Sequence, residues 1–202
     1  MVVLSNDMSF TIHDKVSIRL MSGGHSFSRE AVDDVTAGLK GAAVVELITP
    51  RVTLVPTTMF HEEELESYLR MVGRGHKPTE VVVVSPEVDD RVAVLAVDKE
   101  CYDYLHAKFG EKINFVTPLI LSRVPKEGAI IELVDDVMYV RIFNGGMIFG
   151  EALEVTTDGD MLYWLESINT VYHIYTMRTR VKGDIARFTK CCNDLFTNLE
   201  CE

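Results

Sequence analysis

Residues 128–155 read GAIIELVDDVMYVRIFNGGMIFGEALEV, and the Asn144-Gly145-Gly146 step inside that run limits the possible folds more than any other feature. Asn and Gly tolerate the positive φ angles that tight hairpin turns require, so an Asn-Gly pair between apolar runs is a strong local signal for antiparallel strands. The flanking segments 129–134, 137–143 and 147–155 are rich in β-branched and long apolar residues, and Asp135-Asp136 separates the first two. Three successive strands in an antiparallel meander are predicted.

An earlier stretch, SIRLMSGGHSFS from Ser17, reads as a weaker copy. Segment 16–22 is strand-like, Gly23-Gly24 permits a hairpin, and 25–28 supplies a return strand. Segments 42–48 and 52–55 then complete a first small sheet. Glu62, Glu63 and Glu64 suit the first turn of a helix whose apolar stripe is Leu65, Tyr68, Leu69 and Val72, ending at Gly73. Strands follow at 81–84 and 91–97. Asp98 is the expected N-cap of a helix bearing Tyr102, Leu105 and Phe109, and 113–116 is another strand. After the meander, Thr157 or Asp158 caps a helix with Met161, Leu165, Ile168, Tyr172 and Tyr175 on one stripe. A short strand at 178–182 leads to Gly183-Asp184 and a last helix with its seam at Ile185, Phe188, Cys192, Leu195 and Leu199. The organisation is therefore an α/β chain with a first half at 1–117, a connector at 118–127 and a second half at 128–202. The second half lacks its last strand, leaving a sheet edge through which a homodimer is expected.

Composition narrows the function. Of 202 residues, 47% are hydrophobic, enough for a substantial core. Acidic residues outnumber basic ones 31 to 20 for a net charge of -11, which repels nucleic acid. Apolar runs such as 92–97 are far shorter than the roughly 20 residues a membrane helix needs, so no membrane insertion is expected. Only Val2, Val3 and Leu4 precede polar residues at the start, too few for a secretory signal, and the chain reads as cytoplasmic. Cys101, Cys191, Cys192 and Cys201 have no zinc-ligand spacing and read as free thiols, with no metal site.

The order strand, strand, strand, helix, strand, helix, met twice, resembles the actin-like ATPase superfamily, whose halves each resemble ribonuclease H. With SIRLMSGGHSFS, RVTLVPTTMFHEEELESYLR and the acid-tipped meander, nearly the whole chain resembles an uncharacterised bacterial family of that fold, a domain of unknown function. The resemblance implies nucleotide between the halves and phosphates wrapped by the first hairpin of each. Such hairpins need glycine-rich backbone with N–H groups aimed at phosphate and an acidic strand residue for magnesium.

The candidates for that role are Ser22, Gly23, Gly24 and Ser26 in the first hairpin, and Glu132 and Asp135 in the second. The first strand carries Ser17 and Arg19 in place of an acid. The second tip, Asp135-Asp136, puts two carboxylates where phosphate would sit. The simpler reading makes these turn residues, with Glu132 facing solvent. Other motifs fall short: His61-Glu62 lacks a second histidine four residues on, Ser22 and Ser26 near His25 lack a nucleophile elbow, and 73–77 reads as a basic connector. Tyr163 and Trp164 mark a partner surface if they are exposed. The sequence therefore points to a pseudo-ATPase without cofactor that binds an unidentified protein partner. The alternative is a divergent ATPase or phosphotransferase using ATP and magnesium.

Overall fold

A computed structural model describes residues 15–21, 42–120 and 125–202. The predicted glycine hairpin, including Ser22, Gly23, Gly24 and Ser26, and its return strand lie outside the described residues. The chain divides into two compact units, Met1–Ser122 and Arg123–Glu202.

The first unit runs β1 (Lys15–Met21), β2 (Ala42–Ile48), β3 (Val52–Pro56), α1 (Leu65–Met71), β4 (Glu80–Val84), β5 (Arg91–Asp98), α2 (Lys99–Phe109) and β6 (Ile113–Val116). Its strands form two sheets. β1, β2 and β6 are parallel in that order, with Lys15 opposite Ala42 and Ala43 opposite Ile113. β3, β5 and β4 form a separate antiparallel sheet, so 42–48 and 52–56 do not share the single small sheet predicted for them. The break falls at Thr49-Pro50, where proline has no N–H to continue a ladder. Because Glu80 is buried, its carboxylate is held by three donors: the Lys77 amide at 2.7 Å, Arg51 Nε at 3.0 Å and the second Arg51 guanidinium nitrogen. That cluster ties the start of β3 to the start of β4.

Of the two helices described in this unit, α2 follows from its cap and stripe, while α1 has no side-chain cap and departs from its predicted stripe. The Asp98 carboxylate accepts the Glu100 and Cys101 amides at 2.9 and 3.2 Å, and Cys101, Leu105 and Phe109 turn inward. Burial pushes the Cys101 thiol up to about 12, so this sulfur is an inert core group. In α1 only Leu69 is buried, and Val72 is exposed. Glu62–Glu64 form a 3-10 turn before it, three consecutive carboxylates that do not extend the α-helix.

The second unit runs β7 (Glu127–Val134), β8 (Val137–Asn144), β9 (Met147–Glu154), α3 (Asp158–Tyr172), β10 (Thr179–Gly183), α4 (Ile185–Cys192) and β11 (Leu199–Cys201) in a five-stranded sheet ordered β11-β10-β7-β8-β9. The meander β7-β8-β9 is antiparallel, with Val134 opposite Val137 across the Asp135-Asp136 turn. β10 pairs parallel with β7, and β11 parallel with β10. The last strand predicted to be missing is present as β11. It is only Leu199, Glu200 and Cys201, too short for an alternation to register. It is held by Arg178 to Glu200 at 2.8 Å and by Lys182 to Glu202 at 2.9 Å. The predicted helical seam through Leu195 and Leu199 also stops early: α4 ends at Cys192, a 3-10 turn takes Asn193–Leu195, and strand pairing claims Leu199.

One face of this sheet carries Ala129, Ile131, Leu133, Met138, Val140, Ile142 and Leu153. They pack on Met161, Leu165 and Ile168 of α3 and Phe188 and Cys192 of α4. α3 begins with a reciprocal capping box: the Thr157 hydroxyl accepts the Asp160 amide at 3.1 Å, and the Asp160 carboxylate accepts the Thr157 amide at 2.8 Å. The Thr157 amide bond, followed by the Thr157 and Thr156 hydroxyls, holds the Asp160 carboxyl below its ordinary value.

Candidate functional site

The resemblance implies a phosphate-wrapping role for the β7-β8 hairpin, and the geometry of its tip bears on that expectation. Asp135 adopts φ 48°, the sign that two-residue hairpin turns favour and that Asp tolerates better than most residues. The turn is closed from outside by the side chain of Arg187, on the first turn of α4. Arg187 Nη1 donates to the Asp135 carbonyl at 2.9 Å, Nη2 to the Val155 carbonyl at 2.8 Å and Nε to the Asp158 carboxylate at 3.2 Å. The Asp136 carboxylate stands 3.7 Å from the same guanidinium.

Local sequence logic explains why this arginine needs distant partners. A cation in the first turn of a helix opposes the positive end of the helix dipole. The Asp184 N-cap offsets part of that by accepting the Arg187 amide at 2.9 Å, and the side chain then reaches back to three acceptors on other elements. The planar fork of guanidinium donors suits carbonyls and carboxylates arranged around it, a geometry lysine cannot reproduce.

The tip therefore presents oxygen to a cation. A phosphate needs the reverse, a concave row of N–H donors, and here the Val155 amide is already given to the Asp136 carbonyl and the Asp184 amide to the Leu133 carbonyl. Asp135 and Asp136 are turn residues clamped by an arginine, as the simpler reading of the turn anticipated.

Glu132 corrects that reading. Its side chain does not face solvent; the residue is 4% exposed, on the sheet face opposite α3 and α4, with Tyr139 beside it on β8 and Lys182 on β10. Asp135 lies in the turn beyond the end of β7. Among the described residues, no group of three or more His, Cys, Asp and Glu is placed to hold a metal ion. Sequence reading missed Arg187, whose one local signal is a basic residue in a first helical turn.

Arg187→Ala removes three charge-assisted hydrogen bonds and leaves Asp136 and Asp158 without their shared counter-charge. It is expected to lower stability by about 2 kcal/mol, with no recovery in Arg187→Lys. Urea unfolding of the two variants checks this.

The profile of a family described as "Protein of unknown function (DUF3822)" matches residues 43–165, more than half of the chain. The chain belongs to that family. Its structure is similar to a Bacteroides thetaiotaomicron protein with an actin-like ATPase fold and unknown function. The TM-score is 0.74 and the identity 16%, over 98% of this chain and 94% of that one. The family protein thus has a mixed α/β structure of the actin-like ATPase type. A looser likeness, with TM-score 0.44 and 16% identity over 93% and 85% of the two chains, links it to the cytoplasmic domain of EpsL, an inner membrane component of the Vibrio cholerae type II secretion system. At that score the likeness carries no structural argument. No curated protein matches the chain.

Proposed function

We propose that this family protein is a pseudo-ATPase, a protein-interaction module on an actin-like scaffold that works in the cytoplasm without nucleotide turnover. The observation that supports this reading is the Arg187 clamp, which commits the Asp135 and Val155 carbonyls and the Asp158 carboxylate around the β7-β8 tip to internal hydrogen bonds. Four cysteines without a disulfide among them are in keeping with a reducing compartment. No helix among the described residues is long and apolar enough to cross a membrane.

The same reading takes the two units as copies of one ribonuclease H-like plan. Its support is topological: the parallel trio β1-β2-β6 has the order and direction of β7-β10-β11. On that view the β3-β5-β4 sheet with α1 is an insertion, placed where the second unit passes directly from β10 to α4. Incubation of the purified protein with magnesium-ATP should release phosphate no faster than the buffer blank. Turnover abolished by Glu132→Gln would sink the proposal in favour of a divergent ATPase.

A further inference from the structure

We propose that the outer edge of β9, together with the aromatic flank of α3, forms a groove that takes an extended cationic segment of a partner protein as an added strand. This rests on the interaction-module reading and names the surface and the chemistry it uses.

Among the described residues β9 is the edge strand of the five-stranded sheet, bonded along one side to β8. The Val155 amide points inward, to the Asp136 carbonyl. Backbone groups alternate in direction along a strand, so Gly150, Ala152 and Glu154 turn theirs outward. The Glu154 carbonyl agrees, since it accepts the Trp164 indole N–H at 3.3 Å from the outer side. Gly150 adds no side chain there, and an approaching backbone meets no obstruction from it.

α3 forms a wall beside this edge. It runs antiparallel to β9, with Trp164 at the Glu154 end and Tyr172 tilted against Phe149, ring centroids 5.0 Å apart, at the other. Helical spacing puts Tyr163, Ser167 and Val171 on one outer stripe, next to Trp164. Tyr163 is 64% exposed and Val171 66%, and the Tyr163 ring meets Trp164 edge-on at 5.1 Å. A strand edge with an apolar helix alongside is the geometry of β-strand addition, in which main-chain bonds supply affinity and alternate side chains fill pockets on the wall.

Charge selects the occupant. Residues 142–177 contain no lysine or arginine, and apart from Asp158, which is paired with Arg187, they carry Glu151, Glu154, Asp160 and Glu166. A second copy of this chain would bring the same acidic face and a net charge of -11, whereas a segment alternating basic and apolar residues meets both the acids and the wall.

Trp164 is the only tryptophan in the chain, so its emission reports on the groove directly. The probe is a capped peptide alternating lysine and valine, with a glutamate-valine peptide as control. The expected result is a saturable change in Trp164 emission with the lysine peptide alone, weakening as sodium chloride rises. Gly150→Pro, which removes an outward amide, and Glu154→Lys should each weaken binding by about tenfold or more. Circular dichroism checks that each variant folds, and Glu154→Lys decides the matter if Gly150→Pro does not. No saturable change, equal binding of the glutamate peptide, or unchanged affinity in Glu154→Lys overturns the proposal. A dimer in sedimentation equilibrium that Glu154→Lys abolishes also overturns it, giving the edge to a second copy. Failure here without a magnesium-ATP response rejects the groove and leaves the interaction-module reading standing, while a magnesium-ATP response rejects that reading itself.

Discussion

Gly183→Ala should be among the most damaging single-methyl additions in the second unit, lowering its stability by about 3 kcal/mol or more. Gly183 ends β10 with φ 84°, a left-handed conformation that an L side chain adopts only at a cost of roughly 1–2 kcal/mol. The added Cβ would also press on the Leu133 carbonyl oxygen and stand 2.9 Å from the Leu133 carbonyl carbon. That carbonyl belongs to β7 and accepts the Asp184 amide at 2.8 Å, so it cannot move without loosening the start of α4. Since Arg187 projects from the first turn of α4, the same methyl group disturbs the clamp. Gly146→Ala is the matched control: no heavy atom lies within 4 Å of its Cβ position and its φ is not positive. It should cost no more than about 0.5 kcal/mol. Urea unfolding followed by Trp164 fluorescence compares the two.

The other large effect is expected at Phe188. Its side chain is fully buried between the sheet and α4, its ring centre 5.8 Å from that of Phe196. Phe196 in turn meets Tyr175 edge-on at 5.0 Å, which makes Phe188 the inner end of an aromatic row. Phe188→Ala removes the ring and leaves a cavity that neighbours on a five-stranded sheet cannot collapse to fill, for a loss of about 4 kcal/mol. Phe188→Leu should retain more than half of that stability, since it keeps most of the apolar volume. A midpoint shift in urea for Phe188→Ala no larger than for Phe188→Leu would show that the site relaxes freely.

Which elements could be read from the sequence follows from whether their cause is local. The β7-β8-β9 meander declares itself through Asn144-Gly145-Gly146 and alternating apolar residues, and the α3 start through Thr157 with Asp160 three residues on. What depends on distant partners was not legible. Alternation identifies β1 as a strand but does not say that it pairs parallel with β2, because strand neighbours are chosen by the whole sheet. β11 has three residues and is made a strand by β10 and by the Arg178 and Lys182 ion pairs. Asp89 and Asp90 form a tight turn between β4 and β5 with φ 51° and 58°, the same device as Asp135. Among the described residues, paired aspartates therefore mark turns twice.

The candidate site shows the same division. Asp135 was legible as a turn residue and Glu132 as a strand residue, but the buried position of Glu132 comes from a sheet face that no local pattern specifies. Arg187 lies 52 residues from the Asp135 carbonyl it clamps, and only the packing of α4 against the meander brings them together.

The central proposal is that this protein works without bound nucleotide, and thermal unfolding with and without millimolar magnesium-ATP tests it most directly. The predicted result is an unchanged midpoint. A ligand present at 100 times its dissociation constant adds about 2.7 kcal/mol, which for a chain of this size is a rise of roughly 5–11 °C at about 2–4 °C per kcal/mol. A rise of that size, dependent on magnesium, would contradict the account.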